Sequence, residues 1–190
     1  VSNEAVETKL AKYEVTPKEF FVLTTEKGHQ LNAWMIKPKN FDPNKKYPVF
    51  MFQYSGPGSQ QVANTWNGTN DYWFMLLAQQ GYIVACVDGR GTGFKGAAFK
   101  KCTQKELGKF EVEDQIDAAK VLGKYNYVDA SRIGIFGWSY GGFMSSNCLF
   151  QGADVFKMAI AVAPVTSWRY YDSIYTCLLY TSPSPRDRTR

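Results

Sequence analysis

Gly137-Trp138-Ser139-Tyr140-Gly141 is the string in this 190-residue chain with the clearest capacity for chemistry. It fits G-x-S-x-G, the pattern in which a serine hydroxyl is presented at a sharp strand-to-helix turn and attacks an acyl carbon. So short a string also arises by chance, and its surroundings give it weight. An apolar run, Ile133 to Phe136, leads straight into it, and helical spacing begins straight after. Such a turn forces Ser139 into a strained backbone conformation. It also brings the residues two before and two after so close that a Cβ would clash, which Gly137 and Gly141 avoid, with Gly142 adding room. The helix start offers backbone N–H groups and the positive end of the helix dipole to a developing oxyanion, the Tyr140 N–H first among them. A second donor is expected from the loop after the first parallel strand, here Tyr54-Ser55-Gly56-Pro57-Gly58. The Tyr54 phenol is a neutral donor for that place. The residues alone read equally well as a strand-end tyrosine packed at a turn.

The elements that must hold these groups follow from the apolar pattern. Residues 20–24 and 31–37 form strand-like runs around the turn Glu26-Lys27-Gly28-His29, which predicts a hairpin. A polar loop over 40–46 is closed by Pro48. Apolar runs over 49–54, 83–87, 132–136 and 158–163 read as strands buried on both faces. Helical spacing covers 72–80, 110–124 and 140–150, with Val112, Ile116, Ala119, Val121 and Leu122 on the apolar side of the second. A Gly-rich loop is expected from 88 to 108. Strands alternating with helices predict an α/β fold, a mostly parallel sheet with an antiparallel N-terminal hairpin.

Composition excludes several classes. With 45% hydrophobic and 21% charged residues the chain is neither a disordered tail nor a membrane bundle. No apolar run reaches the ~18 residues of a membrane span. The net charge of +5 is swollen by Arg186, Arg188 and Arg190 against Asp187; residues 1–176 carry +3, too little to suggest a nucleic-acid partner. Cys86, Cys102, Cys148 and Cys177 form no C-x-x-C pair, and Cys86 and Cys148 read as core residues. No cofactor or metal is expected. Gly89-Arg90-Gly91-Thr92-Gly93 suggests a dinucleotide loop, but Phe94 holds its sixth position and helical spacing resumes only near Phe110, so it reads as the rim of the site. Asn67-Gly68-Thr69 matches a glycosylation sequon, a short match common by chance. The chain opens on Val1 without a signal-peptide pattern and is read as a segment of a longer protein.

In its wording the elbow resembles that of prolyl oligopeptidase-type serine peptidases, the dipeptidyl peptidase IV branch in particular and its bacterial members most. The same order of blocks continues through Tyr54-Ser55-Gly56-Pro57-Gly58-Ser59-Gln60, Asp88-Gly89-Arg90-Gly91-Thr92-Gly93, Phe110-Glu111-Val112-Glu113-Asp114-Gln115, Val162-Ala163-Pro164-Val165 and Trp168-Arg169-Tyr170-Tyr171-Asp172-Ser173-Ile174-Tyr175-Thr176. The resemblance covers about residues 19–176 and implies an α/β-hydrolase domain. It implies Ser139 as the acylated nucleophile, the Tyr54 hydroxyl and Tyr140 N–H as the oxyanion hole, and Tyr140, Val165, Trp168, Tyr171 and Tyr175 as a proline-sized pocket. It further implies a peptide substrate with proline in the second position, an N-terminal propeller domain in the parent protein, a periplasmic or extracellular setting, and allows a homodimer.

One part of the apparatus is absent from the string. In this architecture the acid and the histidine follow the serine. The single histidine, His29, precedes it, and Asp172 has no base to orient. The chain is therefore read as a partial α/β-hydrolase domain over 1–176, lacking its last strands and expected to be inactive alone, followed by an unrelated, helix-free, disordered tail over 177–190, with a natural linker as the rival reading of that tail. Residues 158–163 would then form an apolar edge strand that drives aggregation. The alternatives are an acylaminoacyl peptidase or carboxylesterase of the same fold, against which the Trp168 to Tyr175 aromatics argue, and a non-catalytic fragment.

Overall fold

The computed structural model describes residues 2–13 and 15–180, with side chains as far as Thr176. A short helix α1 (Glu4–Leu10) precedes a hairpin of β1 (Glu19–Thr24) and β2 (Gln30–Ile36). Then come β3 (Tyr47–Phe52), α2 (Thr69–Gln79), β4 (Ile83–Asp88), α3 (Ala97–Lys101), α4 (Phe110–Gly123), β5 (Val128–Trp138), α5 (Tyr140–Gln151) and β6 (Phe156–Val162). A 3-10 turn (Trp168–Tyr170) and α6 (Ser173–Tyr180) follow.

The six strands form one sheet in the order β1-β2-β4-β3-β5-β6. The last four are mutually parallel, whereas β2 runs antiparallel to both β1 and β4. The continuous apolar runs of β3 and β4 are explained by cover on both faces. On one face Met51, Ile83, Ala85 and Ile135 pack with Val112, Ala119 and Leu122 of α4 and with Met144 and Cys148 of α5. On the other, Trp34, Phe50, Phe52, Cys86 and Phe136 pack with Phe74 and Ala78 of α2. Burying each large apolar side chain contributes about 1.5–3 kcal/mol, so these two layers fix the sheet that carries the site.

Four expectations need correction. Pro48 lies inside β3, at the register shift between Tyr47 and Val49 against β5, a place where a missing N–H is tolerated. The β5 strand begins at Val128 and not near 132, because buried Val128 is followed by half-buried Asp129 and the exposed Ala130, Ser131 and Arg132, which interrupt the apolar signal. The loop over 88–108 contains helix α3, five residues long with none buried. Finally, α6 runs through Cys177 to Tyr180, inside the stretch expected to lack helix. Pro183 and Pro185 forbid helix at and just before themselves, not three to six residues upstream. The rest of the expected tail, residues 181–190, lies outside the described residues.

The end of the sheet is β6, whose Met158 and Ile160 are 45% and 38% exposed. Cys86 and Cys148 are fully buried, as expected of core thiols, and burial pushes both thiols up.

Candidate active site

The β5–α5 junction is a strained corner. Ser139 sits at φ 56° and ψ −113°, in the half of the map that L-residues avoid, and α5 starts at the next residue. A Cβ built on Gly137 would collide with the Gly141 carbonyl. One on Gly141 would stand 2.6 Å from the Gln53 carbonyl oxygen and 3.2 Å from Tyr54 Cα. On Gly142 it would stand 2.9 Å from the Val162 carbonyl oxygen. Three glycines thus let the turn press against the ends of β3 and β6. Hydrogen bonds lock it there: the Ser139 N–H donates to the Val162 carbonyl at 2.9 Å, and Gln53 Nε2 donates to the Gly141 carbonyl at 2.8 Å. The first helical bond of α5 runs from the Phe143 N–H to the Ser139 carbonyl at 3.0 Å, so the Tyr140 N–H lies ahead of that ladder. Ser139 itself is half-buried, and Trp138 beside it is 60% exposed.

Tyr54 lies two residues past the end of β3, and its Cα abuts Gly141. Its ring centroid lies 6.1 Å from that of Tyr140. The loop beyond it is held from three sides. The Gly58 N–H donates to the Gly91 carbonyl and the Gly93 N–H to the Ser59 carbonyl, both at 2.8 Å. The Asp88 carboxylate accepts the N–H groups of Gln61 and Val62 at 2.9 and 2.8 Å. Gln115 Nε2 donates to the Val87 carbonyl at 2.8 Å and reaches Ser55 Oγ at 3.4 Å. Burial pushes the Asp88 carboxyl up to about 6, against the pull of the two N–H donors. The rim loop is anchored in turn by Arg90, whose Nη2 donates to Asp114 at 2.7 Å and to Glu113 at 2.6 Å while the guanidinium lies over the Phe110 ring.

Four of the five expected pocket residues are brought together by ring contacts. Trp168 meets Tyr140 at 5.4 Å, Tyr171 at 5.7 Å and, stacked, Tyr175 at 6.1 Å between centroids; Tyr171 and Tyr175 meet edge-on at 5.7 Å. Val165 is buried on the connection from β6. Tyr140 is only 1% exposed, so its ring forms a floor under the others and not an open wall. Tyr171, at 40% exposure, is the open side. Burial, reinforced by the neighbouring Tyr54, Tyr171 and Glu111, pushes the Tyr175 phenol up to about 12, so it stays neutral.

The groups left aside by the sequence stay apart from this cluster. His29 is half-buried in the β1–β2 turn. It lies at the same end of the sheet, but β2 and β5 are separated by β4 and β3, roughly 14 Å of strand spacing. Asp172 accepts the Ile174 N–H at 3.1 Å and caps α6. Two residues were missed. Trp138 flanks the serine with an exposed ring. Glu111 is wholly buried under the site and accepts the Tyr140 O–H at 2.5 Å. A signal for it existed: Glu111, Asp114 and Gln115 continue the helical stripe of the buried Ala118, Ala119 and Leu122.

Residues 69–189 match the prolyl oligopeptidase family, across both the elbow and the aromatic cluster. The chain belongs to that family. The match runs on past residue 176. Among curated relatives, a "Probable dipeptidyl-aminopeptidase B" from Trichophyton verrucosum is 47% identical over 169 residues, 88% of this chain and 19% of the relative. A "Dipeptidyl peptidase 4" from Trichophyton equinum is 42% identical over 176 residues, 92% of this chain and 23% of the relative. The crystal structure of Porphyromonas gingivalis dipeptidyl peptidase 4 superposes with a TM-score of 0.89 at 48% identity, covering all of this chain and 26% of that one. The chain thus spans about a fifth to a quarter of the length of its relatives. Its six-stranded mixed sheet is a partial α/β-hydrolase fold of the dipeptidyl peptidase kind.

Proposed function

We propose that this prolyl oligopeptidase family chain is the nucleophile-bearing part of a serine dipeptidyl peptidase that releases N-terminal Xaa-Pro dipeptides through an acyl-enzyme on Ser139. The observation that carries the reading is the corner at Ser139, with φ 56° at the head of α5 and the Tyr54 backbone packed against Gly141. Nothing in core packing requires a serine in that conformation, whereas presenting a hydroxyl above a sheet does.

In the reaction, Ser139 Oγ attacks the carbonyl carbon of the second residue as a base removes its proton. The carbonyl oxygen gains charge and is met by the Tyr140 N–H and the Tyr54 O–H. The tetrahedral species collapses to an ester on Ser139 with loss of the amine, and water then hydrolyses the ester. In this reading a pyrrolidine ring packs against Trp168, Tyr171 and Tyr175, whose flat rings offer stiff, apolar faces. The base is not supplied by His29, the one histidine of the chain, so the 190 residues alone are expected to be inactive. In the reading, the parent protein contributes the acid, the histidine and a propeller domain that admits peptides, acts in the periplasm or outside the cell, and can form a homodimer.

A fluorophosphonate probe is expected to label Ser139 in the full-length protein and to leave the 190-residue chain and Ser139→Ala unlabelled. Gly-Pro-p-nitroanilide should be a far better substrate than a simple acyl ester or an N-acetylated amino-acid anilide. Preference for the ester or the acetylated substrate would make the enzyme a carboxylesterase or an acylaminoacyl peptidase, and no labelling of the full-length protein would make this a non-catalytic fold.

A further inference from the structure

The wholly buried Glu111 has no part in the reaction just described, yet its carboxylate is placed against it. It stands in the first turn of α4 and accepts the Gly108 N–H on both oxygens, at 3.2 and 3.1 Å. Those bonds close the start of its own helix and need nothing from elsewhere. The third bond is different in kind. Oε1 accepts the phenol O–H of Tyr140, 29 residues away, at 2.5 Å. Tyr140 is the residue whose backbone follows the nucleophile and whose ring touches those of Tyr54, Phe143 and Trp168. Its ring, at 1% exposure, would be seated by packing without any polar partner. Taking a carboxylate out of water is costly, so placing one here is out of proportion to the task of filling space. What the bond adds is direction. A charge-assisted O–H···O contact fixes the ring about its axis and along its length, and through the ring the first turn of α5.

We propose that Glu111 is the positioning residue of the site, holding Tyr140 so that its N–H points at the oxyanion and its ring stays level under the pocket. This rests on the reading of Ser139 as the acylated nucleophile. Glu111 acts only through Tyr140 and touches no substrate. Gly108 carries the same constraint outward. A Cβ there would stand 2.7 Å from Phe143 Cζ, so the end of the rim loop, the start of α4 and the first turn of α5 are packed as one block around this carboxylate. Burial pushes the Glu111 carboxyl above its ordinary value, and the Tyr140 and Gly108 donors offset this only in part.

The test is a double-mutant cycle in the full-length protein, read by steady-state turnover of Gly-Pro-p-nitroanilide and by the rate of fluorophosphonate labelling. Glu111→Gln and Tyr140→Phe should each lower kcat on the order of 10- to 100-fold, with KM changed less than about threefold. The double variant should be no slower than either single one, because the second change removes a bond already lost. Wild-type-like kcat in Tyr140→Phe, or fully multiplicative losses in the double variant, would overturn the proposal. Should Glu111→Gln fail to fold, Tyr140→Phe alone decides, since it leaves the carboxylate in place. A wild-type protein that neither labels nor turns over would overturn the peptidase reading, and this proposal with it.

Discussion

Gln53 donates its side-chain amide to the Gly141 carbonyl at 2.8 Å, joining the end of β3 to the elbow across 88 residues of sequence. The same Nε2 also reaches Ser145 Oγ at 3.0 Å. This one amide therefore sets the distance between the strand that carries Tyr54 and the helix that follows Ser139. Gln53→Leu keeps the volume and removes both side-chain bonds, to the Gly141 carbonyl and to Ser145 Oγ. It should lower stability by about 1–3 kcal/mol in urea titrations and slow fluorophosphonate labelling. Unchanged stability and labelling would show that the bond positions nothing.

Tyr54→Phe removes one hydroxyl and keeps the ring that faces Tyr140. If the phenol serves the oxyanion, kcat for Gly-Pro-p-nitroanilide should fall by about 10²–10³ with little change in KM. Equal kcat for both proteins would return Tyr54 to the role of a strand-end packing residue.

Asp88 should give the fold a pH dependence of definite sign. Its ordinary value is 3.8 and burial raises it to about 6, so across that window the folded state keeps a proton that the unfolded chain has released. Stability from this group is then fully present below about pH 4 and lost as pH rises through about 6, a change of roughly 3 kcal/mol. Asp88→Asn should flatten that slope in urea titrations of the full-length protein at pH 4 to 7. An identical slope in both proteins would contradict the assignment.

The exposed side chains of β6 bear on the isolated 190-residue chain. Met158 and Ile160, at 45% and 38% exposure on the last strand of the sheet, should promote association between copies. Sedimentation velocity is expected to show aggregates, reduced when both residues are changed to Lys. A monodisperse wild-type monomer with a sharp two-state melt would refute this.

Much of the fold was legible because its signals are local and repeat. The strands β3 and β4 are apolar runs, broken only by Asp88 at the end of β4, and Gly137 and Gly141 bracket the serine at the one spacing a tight turn demands. What was hidden had no such periodic trace. Helix α1 buries no residue, so no apolar stripe marks it, and α3 is too short to show a period. Pro48 reads as a strand breaker unless the bulge beside it is known. Most instructive is α4, where Glu111, Asp114 and Gln115 face inward. A reading that sends polar residues to solvent places them outside, because their partners, Tyr140, Arg90 and Val87, lie on other elements.

The backbone at position 139 has a consequence for evolution as well as for chemistry. At φ 56°, glycine would be more comfortable there than serine, by an amount on the order of 1–3 kcal/mol. The substitution that erases the hydroxyl is thus one that the fold itself would welcome. A Ser139→Gly protein should melt higher than its progenitor while attacking nothing, and selection for sturdiness alone would drift toward that silent form.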